Sequence, residues 1–141
     1  MKWGRLHGEG HCCSIKRMVP MGDDSNRSQK SQVKLALFQI KSLISQKKVR
    51  FLEDRRKNME TLAALGWLPQ DVPDVIYDLE VEDYFSGPSD DWNSDDRNCI
   101  WKFGKCLPDE KKTIYIKLKL TDDILAISFH FQEKEIVYPF K

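Results

Sequence analysis

The chain has 141 residues, of which 40% are hydrophobic and 11% aromatic, so it can bury one core as a single domain of ordinary size. Its 23 Lys and Arg and 22 Asp and Glu give a net charge of +1. No apolar run approaches the roughly 18 residues of a membrane span, and the start lacks the features of a secretory signal. We therefore expect a cytoplasmic protein without a membrane partner.

The charges are unevenly distributed along the chain. Residues 1–66 hold 14 basic and 6 acidic side chains, residues 67–96 hold 10 acidic and none basic, and residues 97–141 hold 9 basic and 6 acidic. An anionic ligand is therefore attracted to the first and last segments and repelled by the middle one. The alternative interpretation is an ordinary charged surface.

The first residues show neither helical nor strand periodicity. We therefore predict that residues 1–30 form a flexible leader, followed by a domain of residues 31–141. The histidines and cysteines of this leader lack a recognised metal-ligand spacing, so no metal site is expected there. With Cys99 and Cys106 included, the four cysteines show no repeated C-x-x-C pattern, and we expect all of them to be thiols.

Three helices are predicted in the first half of the domain. The apolar residues from Val33 to Ile44 recur at helical spacing behind Ser31, a suitable N-cap, and predict an amphipathic helix to about residue 47. An extended connection follows at residues 49–52.

The second and third helices are predicted from their end signals. Asn58 is a suitable N-cap for a second helix, and Gly66 favours its left-handed end. Asp71, with Pro73 in the first turn, opens a third helix. The apolar side of that helix consists of Val72, Val75, Ile76 and Leu79.

The second half of the chain changes to strand periodicity. Strands are predicted at residues 83–86, 100–105, 113–120 and 124–131, with a short last one at 136–138. The loop of residues 87–98 contains four aspartates, but their spacing does not match a calcium-binding EF-hand, and we expect a solvated loop. Helices followed by strands indicate an α+β domain, with a small antiparallel sheet and two or three helices on one face.

The register of the last hairpin follows from its alternation. Apolar residues occupy the even positions of 113–120 and the odd positions of 124–131, so even must pair with odd across a turn of two or four residues. A turn centred on Asp122 and Asp123 pairs Leu120 with Leu125. Lys117 then lies opposite Ser128, and Tyr115 lies opposite His130.

One face of the predicted sheet is therefore cationic and protonatable. It gathers Lys102, Tyr115, Lys117, Lys119 and His130, whereas Trp101 and Phe103 face the core. Two ordinary explanations compete with a catalytic one, because the exposed face of a half-buried sheet is generally polar and lysines often protect sheet edges.

Three segments in this order, LGWLPQDVPDVIYDLEVEDYF, IWKFG and IYIKLKLTDDILAISFH, resemble the MqsR family of bacterial type II toxin ribonucleases. The resemblance covers about residues 31–130. It implies a RelE-like fold and endonucleolytic cleavage of single-stranded messenger RNA. It also implies a cognate MqsA-like antitoxin, which usually carries a zinc-binding domain and a helix-turn-helix, and it implies no cofactor.

The resemblance also assigns site residues by position. Tyr115 coincides with the catalytic tyrosine of the family, and His130 stands where the family has a catalytic lysine. Lys102 stands in place of a glutamine, and Ser86 in place of a lysine. The expected catalytic residues are thus Tyr115, His130 and Lys102. The expected RNA-contacting residues are Lys117, Ser86, Lys119 and Trp101.

The residues present suit metal-independent RNA cleavage, which needs a base for the 2′-OH, cations for the phosphate and an acid for the leaving oxygen. An imidazole, with a reference pKa of about 6.5, can act as acid or base. A phenol can donate a proton or orient the phosphate. The alternatives are a non-catalytic RNA-binding module, in which aromatic side chains stack on bases, and a protein-interaction domain.

Overall fold

The computed structural model describes residues 24–141 of the chain. Three α-helices are present: α1 (Asp24–Ser45), α2 (Arg56–Leu65) and α3 (Val72–Tyr77). Five strands are present: β1 (Val49–Phe51), β2 (Tyr84–Ser89), β3 (Ile100–Leu107), β4 (Lys112–Leu120) and β5 (Ile124–Phe131). Within residues 24–141, no helix combines the length and the apolar character needed to cross a bilayer.

The five strands form one sheet in the order β1-β5-β4-β3-β2. The pairs β2·β3, β3·β4 and β4·β5 are antiparallel, whereas β1 runs parallel to β5. The predicted α+β fold is therefore confirmed, but the sheet is mixed rather than wholly antiparallel. The segment expected to be an extended connection supplies the parallel edge strand.

The first helix begins earlier than the sequence suggested. It starts at Asp24 rather than behind Ser31, so residues 24–30 are helical. The apolar stripe begins only at Val33, which is why periodicity gave no signal for the first two turns. Gln29 fixes this polar part by donating a hydrogen bond of 3.1 Å to the hydroxyl of Tyr84. The rest of the predicted leader lies outside the described residues.

The core lies between the sheet and the three helices, which all pack on the same sheet face. Leu37 and Ile40 of α1 and Leu62 of α2 all belong to this core. The predicted apolar side of α3 is confirmed, since Val72, Val75, Ile76 and Leu79 are all buried. The sheet contributes Phe103, Ile114, Ile116, Leu118, Ile124 and Phe129. The opposite sheet face is only partly covered, since Lys102, Tyr115, Lys117 and His130 on it are half-buried.

The N-terminus of α2 is attached to the edge of β5. The helix begins at Arg56, so Asn58 is an interior residue rather than the predicted cap. The buried amide of Asn58 donates to the carbonyls of Leu52 and Ile127, at 3.0 and 3.1 Å, and accepts from the amide of Phe129 at 2.9 Å. Beyond the end of β1, the Asn58 side chain thus makes the hydrogen bonds to β5 that a neighbouring strand would otherwise make. The predicted end at Gly66 is confirmed by its φ of 72°.

The β4·β5 hairpin combines a three-residue turn with a bulge. Leu120 pairs with Ile124 instead of Leu125, and Leu118 pairs with Ala126. One extra residue, Ile127, then shifts the register, so that Lys117 lies opposite Ser128. The predicted core positions of β5 are therefore corrected in its first half. Ile124 and Ala126 enter the main core, whereas Leu125 and Ile127 join a second apolar cluster.

The last residues pack back onto the sheet without forming the predicted strand. Ile136 and Tyr138 are buried. The ring of Phe140 stacks on Tyr84, with the centroids 5.7 Å apart. A Cβ at Gly104 would overlap the hydroxyl of Tyr138 and lie 3.0 Å from Cδ1 of Ile136. The glycine therefore makes room for this C-terminal segment.

The cysteines differ in state. Cys99 is a buried free thiol, as expected. Cys106 is disulfide-bonded, which corrects the thiol prediction for this residue. The two cysteines of the leader lie outside the described residues.

Candidate active site

A polar row crosses the sheet on the face opposite the helices. In the register of the strands, Ser86 pairs with Lys102, Lys102 with Lys117, and Lys117 with Ser128. Directly opposed residues have their Cβ atoms roughly 5 Å apart and point to the same face. The row therefore places two ammonium groups side by side between two hydroxyl groups.

Next to this row, Tyr115 lies directly opposite His130, as the sequence predicted. Their ring centroids are 5.1 Å apart and the ring planes are inclined by 33°. Both side chains are half-buried, so each keeps an accessible edge. A phenol and an imidazole thus stand together beside the pair of lysines.

The hydrogen bond of His130 determines which ring nitrogen is free. Nδ1 lies 3.0 Å from the carbonyl oxygen of Phe131. A carbonyl oxygen can only accept, so the proton of the neutral imidazole is on Nδ1. Nε2 is then unprotonated and can accept a proton from a ligand. The backbone contact therefore leaves Nε2 as the ring nitrogen that can act as a general base.

Burial shifts the pKa values of Tyr115 and Lys117 in opposite directions. It raises the pKa of the Tyr115 phenol, which therefore stays protonated at neutral pH. It lowers the pKa of the Lys117 ammonium, and the positive charges of Lys102 and Arg55 lower it further. An anion placed beside Lys117 would relieve this repulsion. The phenol is thus a donor, and the lysines form a site for negative charge.

Two residues predicted to contact RNA lie elsewhere. Trp101 is only 7% exposed and packs in the main core against the ring of Tyr84. The ammonium of Lys119 forms ion pairs of 2.8 and 2.7 Å with Asp91 and Asp96 of the β2–β3 loop. The structure therefore joins Ser86, Lys102, Tyr115, Lys117 and His130, but it does not bring Trp101 or an unpaired Lys119 to them.

Two aromatic residues of this face, Phe85 and Tyr138, were missed by sequence reasoning. Phe85 contacts Tyr115, with centroids 6.0 Å apart, and Tyr138 meets Phe85 edge-on at 6.4 Å. The alternation after the buried Tyr84 could have placed Phe85 on this face. Nothing in the local pattern could have indicated that Tyr138 returns to Gly104, because that contact depends on the path of the C-terminal segment.

The arrangement has the parts that metal-independent phosphoryl chemistry requires. Nε2 of His130 can take a proton, the Tyr115 phenol can give one, and Lys102 and Lys117 can hold the charge of a phosphodiester between them. The face can therefore bind an anionic backbone and transfer protons at one position along it.

A comparison with known protein families matches residues 32–131 to the family described as "Motility quorum-sensing regulator, toxin of MqsA". The match ends at the last residue of β5 and includes all of the predicted site residues. Searches of the curated proteins and of the solved structures found no match. The C-terminal segment that packs on Gly104 lies beyond the matched region.

Proposed function

The chain belongs to the MqsR toxin family, and we propose that it acts as a metal-independent endoribonuclease on single-stranded messenger RNA. Membership of this family makes it the toxin of a toxin–antitoxin system, with an MqsA-type antitoxin as its partner. The activity, the cytoplasmic location and an antitoxin with a zinc-binding domain and a helix-turn-helix are part of the proposal.

One observation carries the proposal. Tyr115 and His130 are directly paired, 5.1 Å apart, next to the paired lysines Lys102 and Lys117. A proton acceptor, a proton donor and two cations thus meet within two adjacent rows of one sheet face.

In the proposed reaction, Nε2 of His130 removes the proton of a ribose 2′-OH. The 2′-oxygen then attacks the adjacent phosphorus, and the bond to the 5′-oxygen breaks. The phenol of Tyr115 gives its proton to the leaving oxygen, and the proton on His130 later restores the phenol through solvent. The products are a 2′,3′-cyclic phosphate and a 5′-hydroxyl.

The lysines stabilise the phosphate while it carries additional negative charge. Lys102 and Lys117 lie opposite each other in the sheet and can contact the two non-bridging oxygens of the phosphate. Stabilising the charge that develops on such oxygens is usually the largest single contribution to catalysis. Ser86, opposite Lys102, offers a hydroxyl to the neighbouring sugar or phosphate. Trp101 and Lys119 have no part in this scheme, because one is in the core and the other is paired with aspartates.

The deciding experiment incubates purified protein with a defined single-stranded RNA in the presence of EDTA and maps the cut ends. The proposal requires cleavage with 2′,3′-cyclic phosphate ends that persists when metal ions are chelated. Binding without any product would instead support the non-catalytic RNA-binding module. Growth arrest on expression, relieved by the antitoxin, tests the toxin role independently.

The role of His130 is tested with His130→Gln, which keeps a polar side chain of similar size but cannot transfer a proton. Loss of a general acid or base lowers rates by a factor of about 100 to 10,000. The control is Arg56→Ala, since Arg56 is exposed and its guanidinium pairs only with Glu60 in the described part of the chain. If His130→Gln cleaved RNA as fast as the parent, the role given to this histidine would be wrong.

A further inference from the structure

A third cation stands at the border of the site. Arg55 precedes α2 and lies three residues before Asn58. The amide of Asn58 holds the backbone of β5 at Ile127 and at Phe129. The residue between these two is Ser128, which lies opposite Lys117 in the sheet. The hydrogen bonds of one buried side chain thus fix the start of α2 beside the polar row.

The charge of Arg55 acts on that row. Burial is the main cause of the lowered pKa of Lys117. The charges of Lys102, its direct neighbour in the sheet, and of Arg55 lower that pKa further, against a smaller opposing effect of Asp91. Two residues from different strands and one from the helix border therefore share a region of positive potential. Such a region, formed partly by half-buried groups, attracts anions.

The next two cations in the sequence differ from Arg55 in their partners. Arg56 forms an ion pair of 2.9 Å with Glu60, and Lys57 forms one of 2.8 Å with Glu133. Within residues 24–141, no carboxylate lies in ion-pair distance of Arg55, Lys102 or Lys117. Of the three basic residues in this run, Arg56 and Lys57 are therefore ion-paired, whereas Arg55 has no ion pair with the described residues.

We propose that Arg55 is a phosphate-binding residue that forms, with Lys102 and Lys117, a three-cation site for the RNA backbone. This inference rests on the proposed function, since it assumes that the polar row receives RNA. A guanidinium can donate to two phosphate oxygens in a planar, bidentate geometry that an ammonium lacks. Arg55 therefore orients the RNA strand as well as attracting it. It reaches the phosphate from the α2 side, across the row from Ser86.

The test measures binding of a 2′-O-methyl RNA oligonucleotide, which cannot be cleaved through the 2′-oxygen, at several salt concentrations. Each phosphate contact to a single strand contributes about 0.7 to the slope of log Kd against log salt. Arg55→Ala should reduce the slope by about 0.7 and weaken binding about tenfold at low salt. Arg56→Ala is the matched control and should leave both quantities unchanged.

The variant is suited to this test because the Arg55 side chain makes no capping hydrogen bond to α2. A urea titration should give the same midpoint for Arg55→Ala and Arg56→Ala. Arg55→Lys should keep the salt slope of the parent but bind more weakly, because it retains the charge and loses the two-pronged contact.

An Arg55→Ala slope equal to that of the parent, or no binding of the oligonucleotide by the parent, would overturn the inference. The proposed cleavage is measured separately, on unmodified RNA. A normal salt response of Arg55→Ala together with cleavage by the parent refutes only the role of Arg55. Binding that depends on Arg55 without any cleavage refutes only the catalytic proposal.

Discussion

Replacing Asn58 by alanine should destabilise the protein more than the loss of any other single side-chain hydrogen-bonding group between α2 and β5. Asn58 is completely buried. Its amide satisfies three backbone groups: the carbonyls of Leu52 and Ile127 and the N–H of Phe129. These groups belong to the edge of β5 and the chain after β1, where none of the strands in residues 24–141 can replace the amide.

The magnitude follows from the groups left without partners. A buried donor or acceptor that loses its partner costs about 1–3 kcal/mol. The contacts at Ile127 and Phe129 are fully buried, and the one at Leu52 is only partly buried. We therefore expect Asn58→Ala to lower the free energy of unfolding by about 3–5 kcal/mol, a large share of the 5–15 kcal/mol typical of a domain.

Thr61→Val provides the comparison within the same helix. The Thr61 hydroxyl accepts one hydrogen bond from the Phe131 amide, at 3.3 Å in a partly buried position. Valine has a similar shape and should cost only about 1 kcal/mol. Urea unfolding, monitored by tryptophan fluorescence at unchanged m-value, measures both variants. A loss for Asn58→Ala that is no larger than that for Thr61→Val would refute this reasoning.

Two further predictions concern the sheet face. Gly104→Ala should lower the free energy of unfolding by about 1–3 kcal/mol, because the new Cβ overlaps the Tyr138 hydroxyl. In a Tyr138→Phe background, the loss of stability measured by urea unfolding should be smaller. Equal losses in the two backgrounds would contradict the clash. Lys119→Met should leave the salt slope of RNA binding unchanged, because its ammonium is paired with Asp91 and Asp96, whereas Lys117→Met should reduce it by about 0.7. A reduced slope in Lys119→Met would show that Lys119 contacts RNA after all.

The register that pairs Tyr115 with His130 was predictable from sequence, although the turn length assumed for it was not correct. Because the apolar positions are even in one strand and odd in the other, core residues at even positions of β4 had to pair with odd positions of β5. With the predicted turn, this parity placed Tyr115 opposite His130, as the structure shows. The turn has three residues, which alone would misalign the pair by one position. The bulge at Ile127 adds one residue and restores the alignment. Alternation therefore predicted which sheet face carries the side chains of the site, but it did not predict the length of the turn or the bulge.

The parallel strand and the role of Asn58 were not predictable in the same way. The segment of β1 is only three residues long, too short for its alternation to distinguish a strand from an extended connection. Asn58 has the residue type of a helix cap, and local rules place it at the start of a helix. Its partners are 69 and 71 residues away in the sequence. Only the folded chain shows that they meet.

This difference explains which site residues the sequence could reveal. Residues on β3, β4 and β5 follow from alternation, because pairing of neighbouring strands carries a local pattern into space. Arg55 lies in a run of three basic residues that looks like an ordinary charged surface, and its position depends on the attachment of α2 through Asn58. The proposed phosphate site therefore depends on that attachment. Asn58→Ala, although Asn58 is not one of the proposed catalytic residues, should weaken RNA binding under conditions in which the domain is still folded, because it loosens the helix that presents Arg55.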